Sequence, residues 1–184
     1  TDQNVIAAAA EGDLIDGVLS ARLSVLNKSD DGWFSNEVIG QTGAQDSDLI
    51  RGTLVYLPTD NTNITFIAES GGLDGDASPV QDLNTTLDSP VDPVANRYTN
   101  SFPLRPNTDD FNVNHNFAGE GIVDWRQYTL DTSWDIGEVR VSNILAYREV
   151  DAFASADIDG TPAVGLTSLY ALDQDQISNE LRFN

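Results

Sequence analysis

The chain has 184 residues and carries 30 acidic against 9 basic side chains, a formal net charge of −21. So acidic a surface repels phosphate backbones and excludes a nucleic-acid partner. The absence of cysteine excludes disulfides and thiolate sites, and no apolar run approaches the roughly 18 residues that a membrane-spanning helix needs. Position 1 is threonine rather than methionine, and no signal peptide is recognisable, so we expect a processed chain or a fragment.

Several segments alternate apolar and polar residues, which is the period of a β-strand with two different faces. In the first of them, Leu19, Leu23 and Val25 fall on one face and Arg22 on the other. Helical signals are nearly absent. We therefore predict an all-β protein with about seven strands, six of which are the segments 18–28, 49–57, 64–70, 121–131, 139–149 and 176–183.

The links between these segments alternate in length. Residues 58–63 and 132–138 read as tight turns by composition, whereas long acidic loops are predicted near 29–48, 71–120 and 150–175. Short turns at one end and long loops at the other are typical of an outer-membrane β-barrel. Tyr56 and Trp134 lie close to the short-turn end, where they would suit an interfacial aromatic girdle; packing in a soluble core is the alternative.

The loops hold two candidate calcium sites and little else that suggests chemistry. Asp74 and Asp76 form one pair, and Asp157 and Asp159 form another that resembles the start of a calcium loop but lacks the closing acidic residue. A solvated turn is the alternative for both pairs. His115 is the only histidine, and no nucleophile elbow or phosphate-binding glycine loop is present, so no enzymatic activity is expected.

Short stretches along nearly the whole chain resemble one family. Residues 141–148 (VSNILAYR) and 173–183 (DQDQISNELRF) are similar to two successive barrel strands of TonB-dependent receptors, the second with that family's Ser-x-Glu-Leu-Arg pattern. Residues 19–24 (LSARLS) followed by 30–34 (DDGWF) look like the family's early hairpin, and 51–54 with the turn at 58–60 match in type and order. The resemblance rests on the order and spacing of these stretches together.

The resemblance implies an antiparallel up-and-down meander that forms part of a 22-stranded transmembrane β-barrel in the bacterial outer membrane. Such receptors take up a scarce nutrient (siderophore-bound iron, haem, cobalamin or an oligosaccharide), with energy from an inner-membrane complex that engages the plug domain. Residues 1–184 would be a partial barrel region from the N-terminal half of the barrel, with the plug domain absent. Outer-membrane lipid, the nutrient and the energy-coupling complex would be the partners, and calcium the only candidate ion.

The same resemblance implies a role for each strand face and for the loops. The face with Leu19, Leu23, Ile50, Leu54 and Phe66 would meet lipid. The other face would point toward the lumen or plug, and it carries Arg22, Arg51, Glu69, Arg140, Glu180 and Arg182. Ligand contacts in the family come from loops, so the candidate ligand-binding residues are Trp33, Phe34, Phe102 and His115.

Two other classes of protein agree with the same strands. One is a soluble, acidic, adhesin-like surface module that binds divalent cations through its aspartate loops. The other is a self-associating fragment whose unpaired strand edges stack into a filament. Dependence on detergent, on calcium and on polymer formation separates the three.

Overall fold

A computed structural model describes residues 2–80, 111–160, 162 and 164–184. These residues form ten β-strands and no helix, so the all-β prediction is confirmed. The strands are β1 (Gln3–Ile15), β2 (Leu19–Asp30), β3 (Phe34–Asn36), β4 (Gly40–Thr42), β5 (Gln45–Thr59), β6 (Thr62–Gly75), β7 (Asn112–Val113), β8 (Glu120–Ile136), β9 (Val139–Asp157) and β10 (Thr167–Phe183).

Seven of the strands form one antiparallel sheet in the order β1-β2-β5-β6-β8-β9-β10. Each strand pairs with the next long strand along the chain, so the predicted antiparallel meander is also confirmed. The register is continuous across the sheet: Leu54 lies opposite Phe66, Phe66 opposite Leu130, and Leu130 opposite Leu145. β1 and β10 lie at the two edges and pair on one side only within the described residues.

Tight turns connect β1 to β2, β5 to β6 and β8 to β9 at one end of the sheet, which we call the short-turn end. Gly17 and Gly137 adopt positive φ angles of 65° and 64° in two of these turns, a conformation that glycine reaches without a steric cost. Beside the last turn, Arg140 donates hydrogen bonds of 2.7 Å to both carboxylate oxygens of Asp135. These hydrogen bonds hold the pKa of Asp135 below its usual value.

The strands extend further than their alternation predicts. β9 continues to Asp157 and β10 begins at Thr167, so both run through most of the segment expected to be a loop at 150–175. β6 likewise continues to Gly75. The extensions are rich in aspartate, glycine and serine, residues typical of turns, but the ladder joins main-chain groups and continues wherever the neighbouring strand continues.

The opposite end of the sheet, the long-loop end, carries a small second sheet in the order β4-β3-β7. Thr42 and Val113 are fully buried there, and Asn36 and His115 are almost completely buried. Phe34 of β3 packs edge-on against Phe111, with 5.7 Å between the ring centroids. Nearly all the buried side chains of the described residues therefore lie at this end, and within that part of the chain no second layer packs against the large sheet.

Candidate functional site

The strand register sorts the side chains of the large sheet into two different faces. One, which we call the apolar face, holds large hydrophobic side chains that remain exposed, such as Leu23 at 53%. Scattered exposed hydrophobic residues are ordinary, but a continuous apolar surface marks an interaction site. The exposed hydrophobic residues that form a belt on this face include Leu23, Leu54, Phe66, Leu130, Leu145, Ile177 and Leu181. Val25 and Ile50 lie on the same face one row nearer the long-loop end, in the row of Arg126 and Glu149.

Aromatic side chains border this apolar belt at both ends. Tyr56 and Trp134 lie on the apolar face next to the short turns, where the sequence placed them. At the other border, Tyr128 and Tyr147 stack with 6.5 Å between ring centroids and an interplanar angle of 14°. Tyr128 precedes Trp134 by six residues in β8, so the two borders are roughly 20 Å apart along the strand. Strands of outer-membrane barrels tilt by about 35–45°, so this separation would span roughly 15 Å along the membrane normal, inside the apolar band of about 25 Å.

Beyond the tyrosines the same face becomes acidic. Asp124 lies directly opposite Asp151, and Asp151 directly opposite Asp173, and Asp48 lies in the same row two strands away. Like charges in opposed positions are tolerated only where water or ions screen them. The row therefore lies where water or ions reach the side chains of this face.

The polar face carries ion pairs and amide or hydroxyl groups. Arg22 pairs with Glu11 at 2.8 Å, and Arg51 pairs with Glu69 across β5 and β6. Glu69 also accepts a hydrogen bond of 3.3 Å from the indole Nε1 of Trp125 in β8. The six charged residues assigned to the lumen side share this face by register, and the five hydrophobic residues assigned to lipid share the other.

A pocket of about 240 Å³ opens where the polar face meets the long-loop end. Two candidate ligand residues that are adjacent in the sequence, Trp33 and Phe34, both line it. Trp33 is 57% exposed, which is unusual for so large an aromatic side chain. Lys28 lines the same pocket from β2, and it is the only lysine in the chain.

Hydrogen bonds shape the loop around this pocket. The Asp30 carboxylate accepts a 2.9 Å hydrogen bond from the Gly32 amide. Oδ2 of Asp76 accepts from the Thr42 hydroxyl at 3.2 Å and from the Gly43 and Ala44 amides at 2.8 and 3.1 Å. A carboxylate bonded in this way fixes several backbone groups at once, so the loop is organised before any ligand arrives.

Three of the four candidate calcium carboxylates accept hydrogen bonds from backbone amides of the loops. Asp157 accepts hydrogen bonds from the Asn116, Asp159 and Gly160 amides, and Asp159 accepts from the Leu166 amide. Asp74 lies exposed on the apolar face of β6, away from the Oδ2 contacts of Asp76. Within the described ranges, no three histidine or acidic side chains come close enough together to hold a metal ion.

We expect Asp76→Asn to lower the free energy of unfolding by about 1–3 kcal/mol, because the amide cannot replace a charged acceptor of three hydrogen bonds. Denaturant unfolding in detergent micelles measures this loss. Asp74→Asn is the matched control, and it should change stability by less than about 0.5 kcal/mol, since Asp74 is exposed. Equal losses of stability from the two substitutions would contradict this account. Stabilisation of the unsubstituted protein by calcium would also contradict it, if either substitution abolished that stabilisation.

A third candidate ligand residue, His115, is not among the described residues that line this pocket. His115 is 2% exposed, and its Nε2 atom lies 3.1 Å from the amide nitrogen and 3.0 Å from the carbonyl oxygen of Val80. Its carbonyl oxygen accepts a hydrogen bond from Asn36. His115 therefore holds the loops at this end together. Phe102 lies outside the described residues.

Sequence reasoning missed Lys28, Tyr128 and Tyr147 as functional candidates. A signal existed for Lys28, since a single lysine in so acidic a chain is conspicuous. The two tyrosines each fall on an apolar face by alternation, but only the β8–β9 register shows that they stack at one level.

Comparison of the chain with protein-family models, with curated proteins and with solved structures finds no match. Within the described ranges there is no helix long and apolar enough to cross a membrane. The described residues offer two candidate sites, namely the large sheet with its apolar and polar faces and the pocket at the long-loop end of that sheet.

Proposed function

We propose that this chain is a stretch of barrel wall from a bacterial outer-membrane receptor of the TonB-dependent kind, which takes up a scarce nutrient. In this proposal the apolar face meets lipid and the polar face lines the lumen. The short-turn end lies toward the periplasm, and the loops with their pocket lie outside the cell.

The observation that carries the proposal is the exposed apolar belt between two aromatic borders. At about 25 cal/mol per Å² of apolar surface, leaving such a belt in water is unfavourable, and no layer of the described residues covers it. A lipid bilayer would cover the whole belt, and its interfaces are where tyrosine and tryptophan side chains are most stable. The acidic row above Tyr128 and Tyr147 would then lie among hydrated headgroups.

The two sheet edges support a larger assembly. β1 and β10 contain neither proline nor lysine, residues that commonly protect an exposed edge. Main-chain groups left unpaired in lipid cost several kcal/mol each, so a membrane location requires further strands at both edges. The same open edges favour a second candidate function, self-association into a filament.

The three tryptophans provide a direct test. Trp134 lies on the apolar face, Trp125 on the polar face and Trp33 in the loops. In single-tryptophan variants refolded into vesicles of brominated phosphatidylcholine, with bromine near the glycerol end of the acyl chain, we expect strong quenching of Trp134 alone. Trp125 and Trp33 serve as internal controls, since neither should contact acyl chains.

Two outcomes would contradict the membrane proposal. Equal quenching of Trp125 and Trp134 would show that the two faces do not have different surroundings. Absence of quenching at all three positions, together with regular polymers under the electron microscope, would favour the filament.

A further inference from the structure

We infer that the pocket lined by Lys28, Trp33, Phe34 and Asp76 binds a neutral, hydroxyl-rich ligand, that is, one or two rings of a carbohydrate. This names a substrate class for the proposed receptor, and its biological meaning rests on that proposal. The binding itself depends only on the geometry of the pocket.

The shape and the aromatic platform indicate a ring-shaped ligand. Trp33 is largely exposed and lines the pocket together with Phe34. An exposed indole offers a flat apolar surface on which the carbon-bound hydrogens of a sugar ring can pack, while the hydroxyl groups at the ring's rim stay free for hydrogen bonds. A volume of about 240 Å³ lies just below the usual range of pockets for drug-sized ligands, roughly 300–1,000 Å³, so one or two rings would fill it.

The polar groups indicate a ligand that both donates and accepts hydrogen bonds. Lys28 supplies three donors and makes no ion pair within the described part of the chain. Gln45 and Ser78 are exposed and line the same pocket; each can donate or accept. Hydroxyl groups, which also do both, match such a mixed lining better than a purely apolar molecule does.

Charge argues against an ionic ligand of either sign. The pocket holds one cation, Lys28, beside the carboxylates of Asp30 and Asp76, and the whole chain carries −21. This field repels anions. A cation would meet the Lys28 ammonium, and the two carboxylates are already occupied by loop hydrogen bonds. A neutral ligand is neither repelled by the acidic chain nor repelled by the Lys28 ammonium.

The test is binding to an array of neutral oligosaccharides in detergent, followed by calorimetric titration of the best-retained glycan. We expect saturable binding that Trp33→Leu weakens roughly tenfold or more, as loss of an aromatic anchor commonly does. Lys28→Met should also weaken it. Trp134→Leu is the matched control because Trp134 lies on the other face near the short turns, and it should leave the affinity unchanged.

The outcomes separate this inference from the membrane proposal. No saturable binding to any glycan, or binding that Trp33→Leu does not change, would overturn the inference and leave the tryptophan-quenching result intact. Binding restricted to sulfated or carboxylated glycans would overturn the neutral class. Conversely, if the protein binds sugar but Trp134 is not quenched, the carbohydrate inference stands and the membrane proposal is rejected.

Discussion

With the apolar face against lipid, as we propose, replacing Leu130 with arginine is expected to destabilise the protein in a bilayer by about 2 kcal/mol. Leu130 lies inside the apolar belt, directly opposite Phe66 and Leu145. An arginine facing lipid costs about 2–4 kcal/mol at the middle of the bilayer and less toward its surfaces. Since Leu130 is closer to the tyrosine border than to Trp134, we expect a value near the lower end. Denaturant unfolding in phospholipid vesicles measures the change.

Thr129→Arg is the control, one residue away in β8 and on the polar face. It should change stability by less than about 1 kcal/mol, because in the proposed orientation this arginine would lie in a hydrated lumen and keep its solvation. The contrast also tests the soluble alternative. In water the Leu130 side chain is exposed, and its replacement by arginine would be neutral within about 0.5 kcal/mol. A small effect at Leu130 would therefore reject the lipid-facing assignment.

Gly71→Ala is expected to lower the free energy of unfolding by about 1–3 kcal/mol, the usual cost of overpacking. A methyl group on Gly71 would overlap the indole ring of Trp125 and would lie 2.8 Å from the carbonyl oxygen of Asp48. The Asp48 oxygen belongs to the backbone of β5 and cannot move aside. Displacing Trp125 would also break its hydrogen bond to Glu69, the residue that Arg51 pairs with.

The control is Gly52→Ala in the neighbouring strand. A methyl group there would meet no atom within 4 Å, so the change should be neutral or slightly stabilising, because alanine restricts the unfolded chain more than glycine does. Unfolding of both variants in detergent micelles gives the comparison. Similar losses for the two glycines would show that the overlap with Trp125 and the Asp48 carbonyl oxygen does not set the effect.

The sequence alone determined the strand character and the two faces. Alternation depends only on the two-residue period of a strand, and so Leu23 and Leu54 could be placed on one face and Arg22 and Arg51 on the other before any pairing was known. The tight turns followed from local chemistry as well, since residues such as Gly137 and Asp135 favour a hairpin connection over a continuing strand.

Predictions from local sequence were wrong where the pairing of strands outweighs the residue composition of a segment. The alanine run of β1, from Ala7 to Ala10, has no alternation to detect and is a strand because β2 pairs with it. The aspartate-rich ends of β9 and β10 read as loop, yet Asp151 and Asp173 face each other in the ladder. Main-chain hydrogen bonds between strands depend on the neighbouring strand, which no local window contains.

Only the tertiary structure decided which residues share a level or a pocket. The register across β8 and β9 stacks Tyr128 on Tyr147 and so defines the upper border of the apolar belt. The hydrogen bonds of Asp76 draw the loop after β4 toward the end of β6 and help to form the pocket where Lys28 meets Trp33. These contacts join residues far apart in the chain, and their distances follow from strand order and loop packing rather than from local propensity.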